Sequence, residues 1–176
     1  MTTADKIALF SAIGGWVSGI GTLLAVIISL YLANRRAKVR LKCDAGERII
    51  ITQGAHPDAE NQPGVAITIT NLTALPVTIT TLGWACGKKN YWHQMLGDPE
   101  SARLPKRLEY GEQGFFWISL AGKEETWFEG FAQQLKERGA NPKKMKVSVS
   151  TSSGGVFRFT PDKELLKRFI TAFAKI

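Results

Sequence analysis

The sequence has little of the chemistry that most enzymes and metal proteins need. Its 176 residues contain two cysteines, Cys43 and Cys86, and two histidines, His56 and His93. No C-x-x-C or H-x-x-x-H spacing is present, so we expect neither a metal site nor a cofactor. In a cytoplasmic domain two thiols are expected to be reduced, and strand-like surroundings predict that both are small buried groups.

Catalytic motifs are also missing. The sequence has no G-x-S-x-G turn, no cysteine beside a usable histidine and no Walker phosphate loop. Glu124 and Glu129 supply carboxylates, but on one helix they are more simply a solvated face. His93 is either a site residue or part of an aromatic cluster on an edge strand. We therefore expect a protein that is not an enzyme.

Charge is absent from Leu9 to Ala33, and this run exceeds the ~20 residues that a helix needs to cross a bilayer. The sequence therefore predicts a transmembrane anchor over residues 1–37. A cleaved signal peptide is the alternative, but it would have a basic start, a shorter apolar core and small residues at its exit. The start here is nearly neutral, and no small-x-small pattern precedes the basic residues that follow.

A dense basic flank sets the expected orientation of this anchor. Positive charge is retained on the cytoplasmic side, and on the other flank Lys6 is neutralised by Asp5. We expect the N-terminus outside, residues 38–176 in the cytoplasm and the anchor in the inner membrane. Such a flank also attracts anionic lipid. The flank residues are Arg35, Arg36, Lys38, Arg40 and Lys42.

Small residues recur along one face of the predicted helix, at alternating steps of four and three. Close packing of small residues drives helix association in lipid. Three interpretations remain open: self-association as a dimer or higher oligomer, packing against another membrane protein, or the usual richness of membrane helices in Gly and Ser. If several copies met, the hydroxyl groups on this face would line a narrow polar path. The face comprises Ser11, Gly15, Ser18, Gly19, Thr22, Ala25 and Ser29.

The rest of the chain alternates polar and apolar residues in short runs separated by turn signals. These predict strands near 38–43, 48–52, 65–70, 77–84, 90–95, 115–120, 145–150 and 156–160. Apolar residues at steps of four predict helices over 123–138 and from Thr160 onward, with Pro161 at the first position. We predict a mainly β fold in which an antiparallel immunoglobulin-like β-sandwich with one inserted helix and a C-terminal helix follows the transmembrane helix.

Three motifs resemble a pattern found in uncharacterised bacterial proteins that have one N-terminal transmembrane helix and a cytoplasmic immunoglobulin-like sandwich. A strand ends in Asn71 and a short turn reaches Pro76-Val77. Residues 107–112 resemble the Leu-x-x-Gly-Glu turn of those proteins, and 151–157 resemble their last hairpin. The resemblance implies the same fold. Because these motifs are turn chemistry, it implies no catalytic residue.

Basic residues near aromatic ones supply the best candidate binding surface. Cations hold anionic groups and aromatic rings stack on bases, so the partner we expect is a lipid headgroup, an acidic protein or a nucleotide-type ligand. Lys163, Lys167 and Arg168 would extend this surface at the C-terminal end. Ordinary solvated lysines are the alternative, and specific nucleic-acid binding is not expected. The candidate residues are Lys88, Lys89, Tyr91, Trp92, Lys143, Lys144 and Lys146.

Two functional hypotheses follow from these patterns. The first is a single-pass inner-membrane protein that presents a non-enzymatic binding or sensor domain and self-associates through its helix. The second is a membrane-permeabilising effector of anti-phage defence, whose soluble domain binds an anionic, nucleotide-type signal. Both require the same anchor and the same basic surface, and they differ in what the helices do.

Overall fold

The computed structural model describes residues 3–34, 38–51 and 61–176. Arg35 and Arg36 of the predicted basic flank, and residues 52–60 with His56, lie outside the described residues. The described part forms three α-helices, eight β-strands and one 3₁₀ turn. They are α1 (Thr3–Asn34), β1 (Leu41–Ile50), β2 (Gln62–Asn71), β3 (Val77–Cys86), β4 (Asn90–His93), β5 (Lys106–Leu108), β6 (Gln113–Ser119), α2 (Glu124–Glu137), the 3₁₀ turn (Pro142–Lys144), β7 (Met145–Thr151), β8 (Val156–Phe159) and α3 (Lys163–Lys175).

The chain divides into two compact units, Met1–Lys38 and Val39–Ile176. The first contains α1, whose residues from Thr3 to Ala33 are long and apolar enough to cross a membrane. None of the described side chains of α1 is buried. Large apolar side chains of α1, such as Phe10, Trp16 and Tyr31, are therefore exposed along the helix.

The second unit contains two antiparallel sheets and two helices, which confirms the predicted antiparallel strands after the N-terminal helix. The first sheet has the strand order β1-β2-β6, and the second has the order β4-β3-β7-β8 with β5 also paired to β3. Neither sheet closes on itself. One hydrophobic cluster includes buried residues of both sheets, such as Ile67 and Ile69 of β2 and Ile79 and Val149 of the second sheet.

Helices α2 and α3 cover the Cys86 end of the second sheet. Trp84 of β3 is completely buried, and the rings of Trp127 and Phe131 on α2 and of Phe169 on α3 lie edge-on to it at 5.4–6.1 Å between centroids. Trp92 of β4 extends this cluster and packs against Phe131 at 6.0 Å. The aromatic residues whose spacing of four predicted both helices therefore form the contacts that attach these helices to the sheet.

The predicted start of the C-terminal helix is wrong. The helix begins at Lys163, and its N-cap is Asp162, whose carboxylate accepts a hydrogen bond of 2.8 Å from the Leu165 backbone N–H. The Asp162 backbone N–H donates to the Ala45 carbonyl, and its carboxylate pairs with Arg48 at 2.9 Å. These contacts with β1 make Asp162 the cap, although Thr160 and Pro161 match the local pattern equally well.

Two strand predictions also differ from the structure. The segments predicted near 38–43 and 48–52 form one continuous strand, β1, because residues 44–47 pair with β2 in unbroken register. Within β1, a Cβ at Gly46 would lie 1.9 Å from the Asp162 carboxylate, so a larger residue there would displace this carboxylate. The short strand β5 is absent from the predicted strands, and it pairs with the first residues of β3.

The second unit has two ends, which we call the entry end and the far end. The entry end contains Arg40 and the turns at 72–76 and 109–112, since Arg40 bonds to Leu72 and Thr73, and Asn71 bonds to Glu112. The far end contains the β3–β4 turn and the 3₁₀ turn. Strand β3 runs between them, and its ten residues span about 30 Å at 3.3 Å per residue.

Candidate functional site

The structure brings two separate sets of predicted basic residues to the far end. Lys88 and Lys89 lie in the turn between β3 and β4, while Lys143 and Lys144 lie in the 3₁₀ turn. The pairs Cys86–Met145 and Ala85–Lys146 join β3 to β7 at this point, so both turns meet at one sheet end. All the lysines are exposed. None of them forms an ion pair with a carboxylate of the described residues.

Sequence reasoning missed Arg158, which extends this basic surface across the sheet. Arg158 lies on the outer face of β8, and its guanidinium donates a hydrogen bond to the Tyr91 hydroxyl on β4. It stacks 5.0 Å from the centre of the Tyr91 ring and also lies 3.5 Å from the Gly87 carbonyl oxygen. The alternation within β8 predicts that Arg158 faces outward. Strand pairing is needed to know that Tyr91 lies within its reach.

A groove of about 380 Å³ lies on the outer face of the same sheet. Gly83 lines this groove. A Cβ at this position would lie 2.1 Å from the Trp92 carbonyl oxygen and would force β3 and β4 apart. The register places His93, Ser148 and Arg158 in one row with Gly83. Its polar and aromatic lining includes Thr81, Tyr91, His93, Ser148, Ser150 and Arg158.

Tyr91 and Trp92 have different surroundings, although the sequence paired them. Tyr91 is exposed on the outer face beside Arg158. The Trp92 ring packs on Phe131 in the aromatic cluster, and the guanidinium of Arg138 covers it at 5.3 Å. Both residues line the groove, but the Tyr91 ring is exposed beside Arg158, while the Trp92 ring joins the helices to the sheet.

Arg168 does not extend the basic surface, contrary to the expectation for the C-terminal end. Its guanidinium pairs with Glu47 at 3.3 Å, approaches Glu124 and Glu125 at 3.9 Å, and stacks 4.9 Å from the Phe128 ring. Burial raises the pKa of Glu47 even though Arg168 opposes this change. Arg168 therefore links β1, α2 and α3, whereas Lys163 and Lys167 remain exposed on α3.

The chemistry of the far end suits an anion. Lysine ammonium groups and an arginine fork donate charge-assisted hydrogen bonds to phosphate or carboxylate oxygens, and serine hydroxyls add neutral donors. Within the described ranges, no three His, Cys, Asp or Glu side chains form a group that could hold a metal ion.

The two cysteines have environments that suppress thiolate formation. Burial, assisted by the negative charge of Asp44, raises the pKa of Cys43 to about 12. Burial also raises the pKa of Cys86, despite the opposing charge of nearby Lys144, and the Cys86 thiol donates to the Asn141 carbonyl at 3.0 Å. The thiolate is the reactive form of cysteine, so both residues are expected to be unreactive in the folded chain.

We predict that a thiol-specific disulfide reagent reacts slowly with the native protein at mildly alkaline pH. For Cys43, the change in pKa from 9.0 to about 12 lowers the thiolate fraction about 1,000-fold. Both thiols should react rapidly after denaturation. The measurement is the release of reagent chromophore with and without denaturant, and equal rates for folded and unfolded protein would contradict the prediction.

The predicted packing face of α1 is exposed along its whole length. A groove of about 430 Å³ runs past Gly15 and Gly19 and is bordered by Trp16, Ile20 and Leu23. The Thr22 hydroxyl donates to the Gly19 carbonyl at 2.9 Å, so it is satisfied within its own helix. Of the basic flank, Lys38, Arg40 and Lys42 are described, and all three are exposed.

Comparison with models of known protein families and with curated proteins finds no match to this chain.

Proposed function

We propose that this chain is a single-pass inner-membrane protein in which α1 anchors a cytoplasmic, non-enzymatic binding or sensor domain. The length and apolar character of α1 support the anchor. The basic residues after Asn34, against a neutral N-terminal flank, support an external N-terminus and a cytoplasmic second unit. The absence of an evident catalytic motif from the sequence supports binding as the activity.

The strand order supports an immunoglobulin-like sandwich for the cytoplasmic domain. In that fold, strands A, B and E share one sheet while C, F and G share the other, with C′ added beside C in the variable type. The orders β1-β2-β6 and β4-β3-β7-β8 correspond to A-B-E and C′-C-F-G. In this assignment α2 is an insertion between strands E and F, and α3 follows strand G.

The proposed ligand is a small, phosphate-bearing anion that binds at the far end. One observation carries this proposal: Arg158 lines the groove, the lysines of two turns lie at one end of the same sheet, and none of these cations has a described carboxylate partner. The groove volume of 380 Å³ lies within the range of small-molecule sites. Tyr91 supplies a ring beside the cations, an arrangement that favours a ligand with both phosphate and aromatic parts.

We predict that Lys88→Glu combined with Lys144→Glu weakens binding of ATP or inorganic tripolyphosphate at least tenfold. A hydrogen bond to a charged group contributes about 1.5–3 kcal/mol, and 1.4 kcal/mol corresponds to tenfold in affinity. The measurement is isothermal titration calorimetry on the full chain in detergent.

The matched control is Lys163→Glu with Lys167→Glu, which changes the net charge equally on α3. This control should bind both probes as the unchanged chain does. Equal weakening by the two double variants would show a general charge effect and contradict a site at the far end. No binding of either probe to the unchanged chain would contradict a phosphate-bearing ligand.

Self-association through α1 is part of the proposal. A Cβ at Gly15 would meet nothing within 4 Å, so a single helix tolerates a larger side chain there. We predict that Gly15→Leu with Ser18→Leu converts an oligomer into a monomer in nanodiscs, because leucine prevents close approach of the small-residue face. Native mass spectrometry of the full chain measures this. Ile13→Leu with Ile27→Leu, at residues outside both the small-residue face and the groove, is the control, and an unchanged oligomer in the first variant would contradict the prediction.

A membrane-permeabilising effector is the second candidate. The hydroxyl groups of Ser18, Thr22 and Ser29 on one face of α1 support it, since a ring of such helices would enclose polar groups. Liposomes that contain the full chain and an entrapped dye test this candidate. Dye release on addition of a phosphate-bearing probe would favour the effector, and retention of dye with bound probe would favour the sensor.

A further inference from the structure

Three exposed apolar side chains lie together at the entry end. Leu72, Leu75 and Tyr110 are 46%, 57% and 70% exposed. Their turns are bonded to each other through Asn71, whose side-chain amide donates to the Leu75 carbonyl at 2.9 Å and whose carbonyl accepts from the Gly111 N–H at 2.8 Å. We call these three exposed side chains, together with the two hydrogen-bonded turns that carry them, the entry patch.

Exposed cations without a described acidic partner lie on and just before β1, the strand beside the entry patch. The two glutamates of the turn at 109–112 form ion pairs with nearby basic residues. Glu109 pairs with Arg107 at 3.0 Å, and Glu112 pairs with Lys106 at 2.9 Å. The exposed Arg40, by contrast, has no ion-pair partner among the described carboxylates. The same holds for Lys38 and Lys42. An apolar surface beside exposed basic residues complements the interface of an anionic bilayer, where tyrosine is also enriched.

The entry patch is tied to β1 only a few residues after the end of α1 in the sequence. The Arg40 carbonyl accepts from the Leu72 N–H at 2.9 Å, and the Arg40 N–H donates to the Thr73 hydroxyl at 2.8 Å. Residues 35–40 follow α1, and six residues reach at most about 20 Å when fully extended. A short tether gives a second binding event a high effective concentration, so weak lipid contacts suffice.

We propose that the entry patch docks on the anionic lipid surface of the membrane that α1 spans, with Leu72, Leu75 and Tyr110 in the headgroup region. The inference rests on the anchor that belongs to the proposed function. The far end lies about 30 Å along β3 from this contact, at 3.3 Å per residue. The basic surface of the far end therefore stays accessible to a soluble ligand, while the entry end contacts the lipid.

A depth measurement on the full chain tests the proposal. A polarity-sensitive fluorophore is attached at Leu75→Cys, or at Lys88→Cys as the control at the far end, after both native cysteines are replaced by alanine. Each chain is placed singly in nanodiscs of phosphatidylglycerol or of phosphatidylcholine, with a nitroxide quencher on the lipid. In phosphatidylglycerol we expect several-fold stronger quenching at position 75 than at position 88.

Charge variants separate lipid docking from other causes. Arg40→Glu with Lys42→Glu should reduce the quenching at position 75, and Lys163→Glu with Lys167→Glu should not. Equal quenching at positions 75 and 88, or no dependence on lipid charge, would overturn the proposal. Contact with a second copy would also overturn it, and quenching that requires two chains per disc would reveal that contact. Release of the chain from liposomes by alkaline carbonate would instead contradict the anchor itself.

Discussion

Replacing Trp84 by alanine is expected to lower the free energy of unfolding of the second unit by about 3–5 kcal/mol, the usual cost of truncating a large buried aromatic side chain. Trp84 has no exposed surface, and three rings from α2 and α3 lie edge-on around it. Its indole N–H also donates to the Gln94 side chain at 3.2 Å. Its removal leaves a cavity where both helices attach to the sheet.

Urea unfolding of the full chain in a mild detergent measures this loss, with circular dichroism in the β-sheet region as the signal. Trp84→Phe retains a ring and should lose less than Trp84→Ala. Tyr110→Ala, at an exposed position, should stay within about 0.5 kcal/mol of the unchanged chain. If Trp84→Ala cost no more than Tyr110→Ala, the aromatic cluster would not be what holds the helices on the sheet.

Periodicity in the sequence was sufficient to predict the elements that bury one regular face. The alternation of β2 and β7 is visible without any partner. The step of four from Trp127 to Phe131 likewise predicts α2. In each case the burying face is encoded within a single segment, so local pattern and tertiary packing agree.

The features that sequence analysis missed all depend on a second segment. Asp162 caps α3 because β1 supplies Arg48 and the Ala45 carbonyl, which no local rule identifies. Arg158 reaches Tyr91 only because β8 and β4 belong to one sheet, with β7 and β3 between them. The sequence likewise predicts Lys88 and Lys144 as binding residues, but only strand pairing places both at one end of a sheet. Long-range pairing, rather than propensity, determines the candidate site.

Asn71→Asp is expected to destabilise the entry end more than Asn71→Ala does. The Asn71 amide is completely buried, donates to the carbonyls of Leu75 and Leu108 at 2.9 and 3.0 Å, and accepts from the Thr73 N–H at 2.8 Å. Alanine leaves these backbone groups unpaired, and each such group costs about 1–3 kcal/mol. Aspartate adds a negative charge that faces two carbonyl oxygens, and the repulsion comes on top of the lost bonds.

The pH dependence distinguishes these two causes. Burial beside carbonyl oxygens raises the pKa of a carboxyl group above its unfolded value, so the folded aspartate variant retains a proton that the unfolded chain has lost. Its stability relative to Asn71→Ala should therefore be highest below the unfolded pKa, where the protonated group donates to one carbonyl. That advantage should disappear as the pH rises through the folded pKa.

Urea unfolding of both variants at acidic and neutral pH measures the difference in stability between them. A difference that does not change with pH would mean that water reaches position 71 and solvates the charge. In that case the hydrogen bonds of Asn71 would not be what holds the two turns of the entry end together.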